Sequence, residues 1–145
     1  MGSARHLNIL LSLAVVAAAT VGCAHTLRLR LVDAGSEQPL AGVETSWRED
    51  KIDLLLGAYH NGPTNLQPST GEGIVTVGKV HPRWVGRFEF TAPGYTQLYG
   101  IYSRGGLALG TKTNANIRGE RFVLEGPVTT AASSNATFTV PMSRR

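Results

Sequence analysis

From residue 26 onward, apolar and polar positions alternate with a period of two. Leu27, Leu29 and Leu31 alternate with Arg28 and Arg30, the mark of a strand with one buried face. Asp33-Ala34-Gly35-Ser36-Glu37-Gln38-Pro39 is a turn cluster. A second strand is expected over residues 40–47. Residues 52–59 read as a strand or one turn of helix, and residues 60–73, with three Gly and two Pro, as a loop. Residues 74–80 read as a strand. In the stretch 83–91, Trp84, Gly86, Phe88 and Phe90 share one face, and Val85, Arg87 and Glu89 the other. After Pro93-Gly94 come residues 95–102, the pair Gly105-Gly106, and apolar stretches at 107–111 and 117–124. A polar linker at 129–134 and a last strand at 138–142 close the chain. About seven or eight strands with frequent turns predict an all-β domain, a single sandwich or barrel. No stretch carries helical periodicity with caps. Neither an internal repeat nor a boundary to a second domain is visible.

The first residues follow a different pattern. Residues 1–6 are polar, with Arg5 as the one firm positive charge, and residues 7–21 are almost wholly apolar. An apolar run of ~15 residues falls short of the ~20 that a spanning helix needs, and reads as a secretory signal. It closes on Ala17-Ala18-Ala19-Thr20-Val21-Gly22-Cys23. That ending resembles the lipobox of bacterial lipoproteins. The resemblance implies a signal peptide over residues 1–22, cleavage before Cys23, and acylation of the Cys23 thiol and of the new amine. Acyl chains contribute ~0.8 kcal/mol per buried methylene, enough for several of them to hold a soluble domain on a membrane. The next residue, Ala24, favours the outer membrane by similarity to enterobacterial sorting rules, with the domain facing the periplasm.

Composition narrows the choice further. The chain is 42% hydrophobic and 17% charged, too apolar for disorder. Its single Cys excludes an internal disulfide. Residues 23–145 carry 13 Lys and Arg against 10 Asp and Glu, a net charge of +3. The basic residues are scattered, so a nucleic-acid partner is not expected.

The order of elements resembles carboxypeptidase regulatory-like domains, which are small transthyretin-like, Ig-like β-sandwiches. A strand ending at Asp33 leads into Pro39-Leu40-Ala41-Gly42-Val43. The turn Ser69-Thr70-Gly71-Glu72-Gly73 follows, without the family's usual Asp after Thr. Phe88-Glu89-Phe90-Thr91-Ala92-Pro93-Gly94-Tyr95 matches the last element. The likeness covers residues 26–100 and implies one β-sandwich over residues 23–145. The matched positions suit structural tasks. Gly42 and Gly94 fit tight turns, Pro93 fixes φ at a strand exit, and Tyr95 is expected to cover the core with its ring and hydrogen-bond through its hydroxyl.

Candidate chemistry is sparse. No Gly-x-Ser-x-Gly elbow is present, and the lone Cys is assigned to anchoring. The chain ends Pro141-Met142-Ser143-Arg144-Arg145, unlike the hydroxyisourate hydrolases that share the transthyretin architecture. His60 and His81, with Asp53 or Glu72, lack the local spacing of metal ligands, and no cofactor is implied. Arg28 and Arg30 stand where isopeptide-forming adhesin domains place a Lys. Asn135-Ala136-Thr137 fits a glycosylation sequon by chance if the host is bacterial. Two stretches remain as partner surfaces. One is Tyr99, Tyr102 and Arg104, of the residue types that dominate interface hot spots; Tyr95 and Tyr99 would share a strand face and Tyr102 the other. The second is the loop carrying Asn61, Asn65 and Gln67. The expected function is a non-catalytic binding or structural module, held on the membrane through Cys23, with an envelope protein, peptidoglycan or a glycan as ligand. An accessory hydrolase or small-molecule carrier is the alternative.

Overall fold

The computed structural model describes residues 25–53, 57–60, 64–80, 85–115, 122–135 and 137–145. Cys23, Asn61, His81 and Trp84 lie outside them, as does the whole stretch 1–22. The described strands are β1 (His25–Asp33), β2 (Glu44–Asp53), β3 (Gly57–His60), β4 (Thr64–Asn65), β5 (Ile74–Val80), β6 (Val85–Thr91), β7 (Leu98–Ser103), β8 (Gly106–Gly110), β9 (Lys112–Ala115), β10 (Phe122–Glu125), β11 (Thr129–Thr130), β12 (Ser133–Ser134) and β13 (Thr137–Met142). Seven of these have five residues or more, and among the described residues there is no helix. The chain is an all-β sandwich.

Two sheets face each other. The smaller runs β12-β13-β1-β5, with β1 and β13 parallel and the other pairs antiparallel. The larger runs β11-β8-β7-β6-β2-β3, with β4 also paired to β2. The pair β9-β10 forms a separate hairpin. Between β11 and β12 the chain crosses from the larger sheet to the smaller one, with Ala131 buried at the crossing. Side chains that alternate along a strand supply the core from both inner faces. The smaller sheet gives Leu27, Leu29, Leu31, Val75, Val77, Phe138, Val140 and Met142; the larger gives Phe88, Phe90, Leu98, Tyr102, Leu107 and Leu109. Tyr102 and Phe138 meet edge to face across the interior, with centroids 6.0 Å apart. This buried core runs from Leu27 to Met142, so a chain beginning at Cys23 retains all of it.

Two glycines make room on the inner face of the larger sheet. A Cβ on Gly86 would overlap the Trp47 ring, which lies against Phe88 at a centroid distance of 4.4 Å. A Cβ on Gly100 would come within 3.1 Å of Leu107 and 3.4 Å of Phe88 and Phe90. The alternation expected at Gly86, Phe88 and Phe90 is the inner face, and Val85, Arg87 and Glu89 face outward.

Several boundaries differ from the sequence reading. The second strand starts at Glu44, because residues 41–42 form a turn with Gly42 at φ 72°, and it continues through the charged run to Asp53 as the partner of β6 and β3. The expected loop at 60–73 contributes Thr64–Asn65 as an edge strand of β2. The expected linker at 129–134 contributes one short strand to each sheet.

Candidate functional site

The outer face of the larger sheet gathers residues that are far apart in the chain. The register pairs Asn65 with Ser46, Ser46 with Glu89, Glu89 with Tyr99, and Tyr99 with Gly110. Directly paired residues point to the same side of a sheet, and their inner-facing neighbours Thr45, Phe88, Phe90, Leu98 and Gly100 are buried. The row therefore runs across five strands on the outer surface. An open groove of about 520 Å³ lies over its first half, with Glu44, Ser46, Asn65, Pro68, Glu89 and Thr91 among its walls and floor.

The groove wall is held by Ser69. Its hydroxyl donates to the Leu40 carbonyl at 2.6 Å and accepts from the Val43 N–H at 2.9 Å. The Leu66 N–H donates to the Thr45 carbonyl at 2.9 Å, and the Ser69 N–H to that of Val43 at 3.1 Å. These bonds press residues 64–69 along the open edge of β2, so Asn65 stands beside Ser46. Glu89 accepts a hydrogen bond from the Gln97 amide. Burial, and secondarily the Glu89 charge, push the Tyr99 hydroxyl above its ordinary pKa. Beyond Tyr99, the Leu124 side chain of β10 lies within 3.3 Å of the place a Gly110 Cβ would occupy. The β9-β10 hairpin thus closes that end of the row. The face offers amide, hydroxyl and carboxylate groups with one aromatic ring.

The sequence candidates separate here. Asn65 and Tyr99 share the row. Tyr102 does not: it is fully buried, because Leu98, Gly100 and Tyr102 make the inner face of β7. Its inclusion in a partner surface is therefore corrected; burial pushes its hydroxyl pKa up, and the hydroxyl meets His25 Nε2 at 3.1 Å. Arg104 is exposed at the other end of β7, at the tip of the two-residue turn joining β7 to β8, with φ 51° followed by Gly105 at φ 76°. Tyr95 precedes β7 and does not share the Tyr99 face.

A second polar cluster surrounds Asp33. Its Oδ1 accepts from the Gly35 and Ser36 N–H groups, each at 2.9 Å. Its Oδ2 accepts from the Tyr95 hydroxyl at 2.8 Å and Arg144 Nε at 2.7 Å. The Tyr95 ring packs on the core as its sequence context suggested, with the Arg144 guanidinium 5.9 Å from its centroid. The Arg144 guanidinium first, then the Ser36 N–H and the Tyr95 hydroxyl, hold the Asp33 carboxyl far below the usual carboxylate range, against the effect of burial. The Asp33 carboxylate in turn raises the Tyr95 hydroxyl. With both oxygens doubly bonded to donors, Asp33 is a clamp and offers no lone pair for base catalysis. The Thr96 N–H to Ser143 carbonyl and Arg145 N–H to Gly94 carbonyl bonds, 2.8 and 3.0 Å, complete the attachment of the C-terminal residues. Arg144 was missed in the sequence because it lies 111 residues from Asp33.

Among the described residues no three His, Cys, Asp or Glu side chains converge as metal ligands, and no helix is long and apolar enough to cross a membrane. Compared with known proteins, the chain matches no protein-family model and no curated sequence.

Proposed function

We propose that the protein is a lipid-anchored bacterial envelope protein whose carboxypeptidase regulatory-like sandwich acts as a non-catalytic binding module, with the outer groove of the larger sheet as its ligand site. The observation that carries the reading is the row Asn65, Ser46, Glu89 and Tyr99. It brings two separately suspected stretches onto one exposed surface with many donors and acceptors and one ring. Such a face suits a polyhydroxylated ligand, which presents hydroxyls to side-chain amides and carboxylates and a ring face to an aromatic. Peptidoglycan and envelope glycans are of that class. Among the described residues the inner faces of the two sheets pack into one apolar core, which supports a surface site. The lipobox-like end at Cys23 supports the membrane attachment, facing the periplasm.

The test is co-sedimentation of the chain from Cys23 onward with purified peptidoglycan and with an array of envelope glycans. Ser46→Arg fills the groove floor and is expected to abolish retention. Thr76→Arg, on the exposed outer face of the smaller sheet, is expected to leave it intact. Equal retention of both variants would overturn the assignment of the groove.

A further inference from the structure

A second cavity, of about 570 Å³, opens where the chain crosses between the two sheets. Its floor comes from the smaller sheet, where Arg30 pairs with Thr139 and Val32 with Pro141 on β1 and β13. These positions alternate with the core residues Leu29, Leu31 and Val140, so they point outward. Thr26, Arg28 and Arg30 on that side of β1 are exposed, but Val32 is only 4% exposed. It is covered by the turn after β1 and by the strip from Thr129 to Ala132, while Leu109 reaches the cavity from the larger sheet. Both walls are tied down. The Ala131 N–H donates to the Leu107 carbonyl, and the Thr139 N–H to that of Ala132, each at 2.8 Å. In the turn, the Glu37 N–H donates to the Asp33 carbonyl at 2.8 Å, and the Asp33 N–H to that of Gln38 at 2.9 Å. The cavity is therefore built in advance, at a volume usual for small-molecule sites.

Three charged residues line this cavity: Arg30, Asp33 and Glu37. Asp33 is already engaged, since both its oxygens are held by donors in the clamp with Tyr95 and Arg144. Arg30 and Glu37 are exposed, and among the described residues neither side chain makes a hydrogen bond or an ion pair. Arg30 lies one outward step before Val32, about 7 Å along the strand, and the turn that carries Glu37 begins just after Val32. Opposite charges therefore stand on either side of an apolar floor without meeting each other. Glu37 also has its backbone in the left-handed region, at φ 59°, where Gly or Asn is favoured over a longer side chain. A strained residue beside a cavity points to a task other than stability.

We infer that this cavity is a second binding site, separate from the groove, which takes a short free peptide as a zwitterion. Its carboxylate meets Arg30, its ammonium meets Glu37, and an apolar side chain lies over Val32 and Pro141. A guanidinium engages a carboxylate through two parallel hydrogen bonds, and the Glu37 carboxylate accepts from the ammonium. The threonine hydroxyls of the walls can donate to or accept from the peptide group between them. A simple anion would use Arg30 and be repelled by Glu37, and a simple cation the reverse. A neutral apolar molecule would strip water from both charges and repay neither. The two ends of an extended dipeptide lie about 7 Å apart, within reach of side chains that lean over Val32 from both sides. This site depends neither on the glycan reading of the groove nor on the anchor.

The experiment is calorimetric titration of the chain from Cys23 onward with alanyl-leucine, with its N-acetyl derivative and with its C-terminal amide. For a ligand of this size the free dipeptide is expected to bind with a Kd of about 1 mM or tighter. Each capped form should bind about tenfold more weakly, having lost one charged contact. In Arg30→Gln the acid and the amide should bind alike, while acetylation still weakens binding. In Glu37→Asn the free and acetylated forms should bind alike, while amidation still weakens binding. Asn suits the left-handed position, so the thermal midpoint of this variant should be at or above that of the unaltered chain. Arg28→Gln, one outward step away and outside the cavity, and Ser46→Arg, in the groove, should bind all three ligands as the unaltered chain does. No saturable binding up to about 10 mM, equal binding of the free and capped forms, or cap effects unchanged in both cavity variants would overturn the proposal. Glycan retention lost in Ser46→Arg and kept in Arg30→Gln reports on the groove separately, so either site can fail while the other stands.

Discussion

Replacing Gly73 by Ala should destabilise the fold far more than replacing Gly42 by Ala, although both glycines have nearly the same positive φ, 75° and 72°. At Gly42 nothing lies within 4 Å of an added Cβ, so the substitution carries only the conformational penalty of a left-handed non-Gly residue, about 1 kcal/mol. At Gly73 the Cβ would run into the Leu31 carbonyl oxygen and come within 3.2 Å of the Leu40 nitrogen and the Pro39 Cβ. These backbone atoms are tied together: Leu31 N–H donates to the Gly73 carbonyl at 2.8 Å, and Leu40 N–H to the Leu31 carbonyl at 2.9 Å. Relief of the overlap must break at least one of these bonds beside buried Leu31, which adds about 2 kcal/mol. The expected losses are therefore about 3 kcal/mol for Gly73→Ala against about 1 kcal/mol for Gly42→Ala. The entropy that Ala removes from the unfolded chain is common to both and drops out of the comparison. Urea unfolding followed by tryptophan fluorescence measures the difference through the midpoints at constant slope. Losses within about 0.5 kcal/mol of each other would refute the steric argument and leave only the left-handed backbone as the cause.

Other perturbations test other parts of the fold. Thr45 is buried with a hydroxyl that has no hydrogen-bond partner, so Thr45→Val should raise stability by about 1 kcal/mol in the same assay, and a loss would mean that the hydroxyl is satisfied. Tyr102→Ala removes a fully buried ring and should cost about 3–5 kcal/mol, while Tyr99→Ala on the outer face should cost under about 1 kcal/mol and weaken ligand retention. Because the Asp33 carboxyl is lowered in the folded state, its contribution is fully present above the ordinary carboxylate pKa near 4 and is lost as pH falls below that toward its lowered value. The thermal midpoint should therefore fall between pH 4 and pH 2 in the unaltered chain, and more gently in Asp33→Asn; parallel profiles would show that the clamp does not govern acid unfolding.

The parts of this fold legible in the sequence are the local ones. The triplet Leu27, Leu29, Leu31 and the set Gly86, Phe88, Phe90 announce buried strand faces by alternation alone, and Tyr95 next to Pro93-Gly94 announces a ring that packs and a hydroxyl that bonds. What stayed hidden depends on pairing between distant segments. The charged run 48–53 has no apolar alternation, yet it is a strand because β6 and β3 flank it. Alternation placed Tyr102 opposite Tyr99, but only the packing of Leu98, Gly100 and Tyr102 against Leu107 and Phe138 decides which face is inside. The row from Asn65 to Tyr99 likewise exists only through register. No residue type marks Ser46 or Glu89 as neighbours of Asn65 until β4, β2 and β6 are laid side by side.

The anchored binding module is tested most directly by photo-cross-linking in the intact envelope. A photoreactive residue replaces Ser46 in one full-length chain and Thr76 in another, and membrane fractions are irradiated and analysed by mass spectrometry. The account predicts that both chains sediment with membranes and that a covalent ligand adduct forms from position 46 alone. An adduct absent from position 46, or equally abundant from position 76, would contradict it.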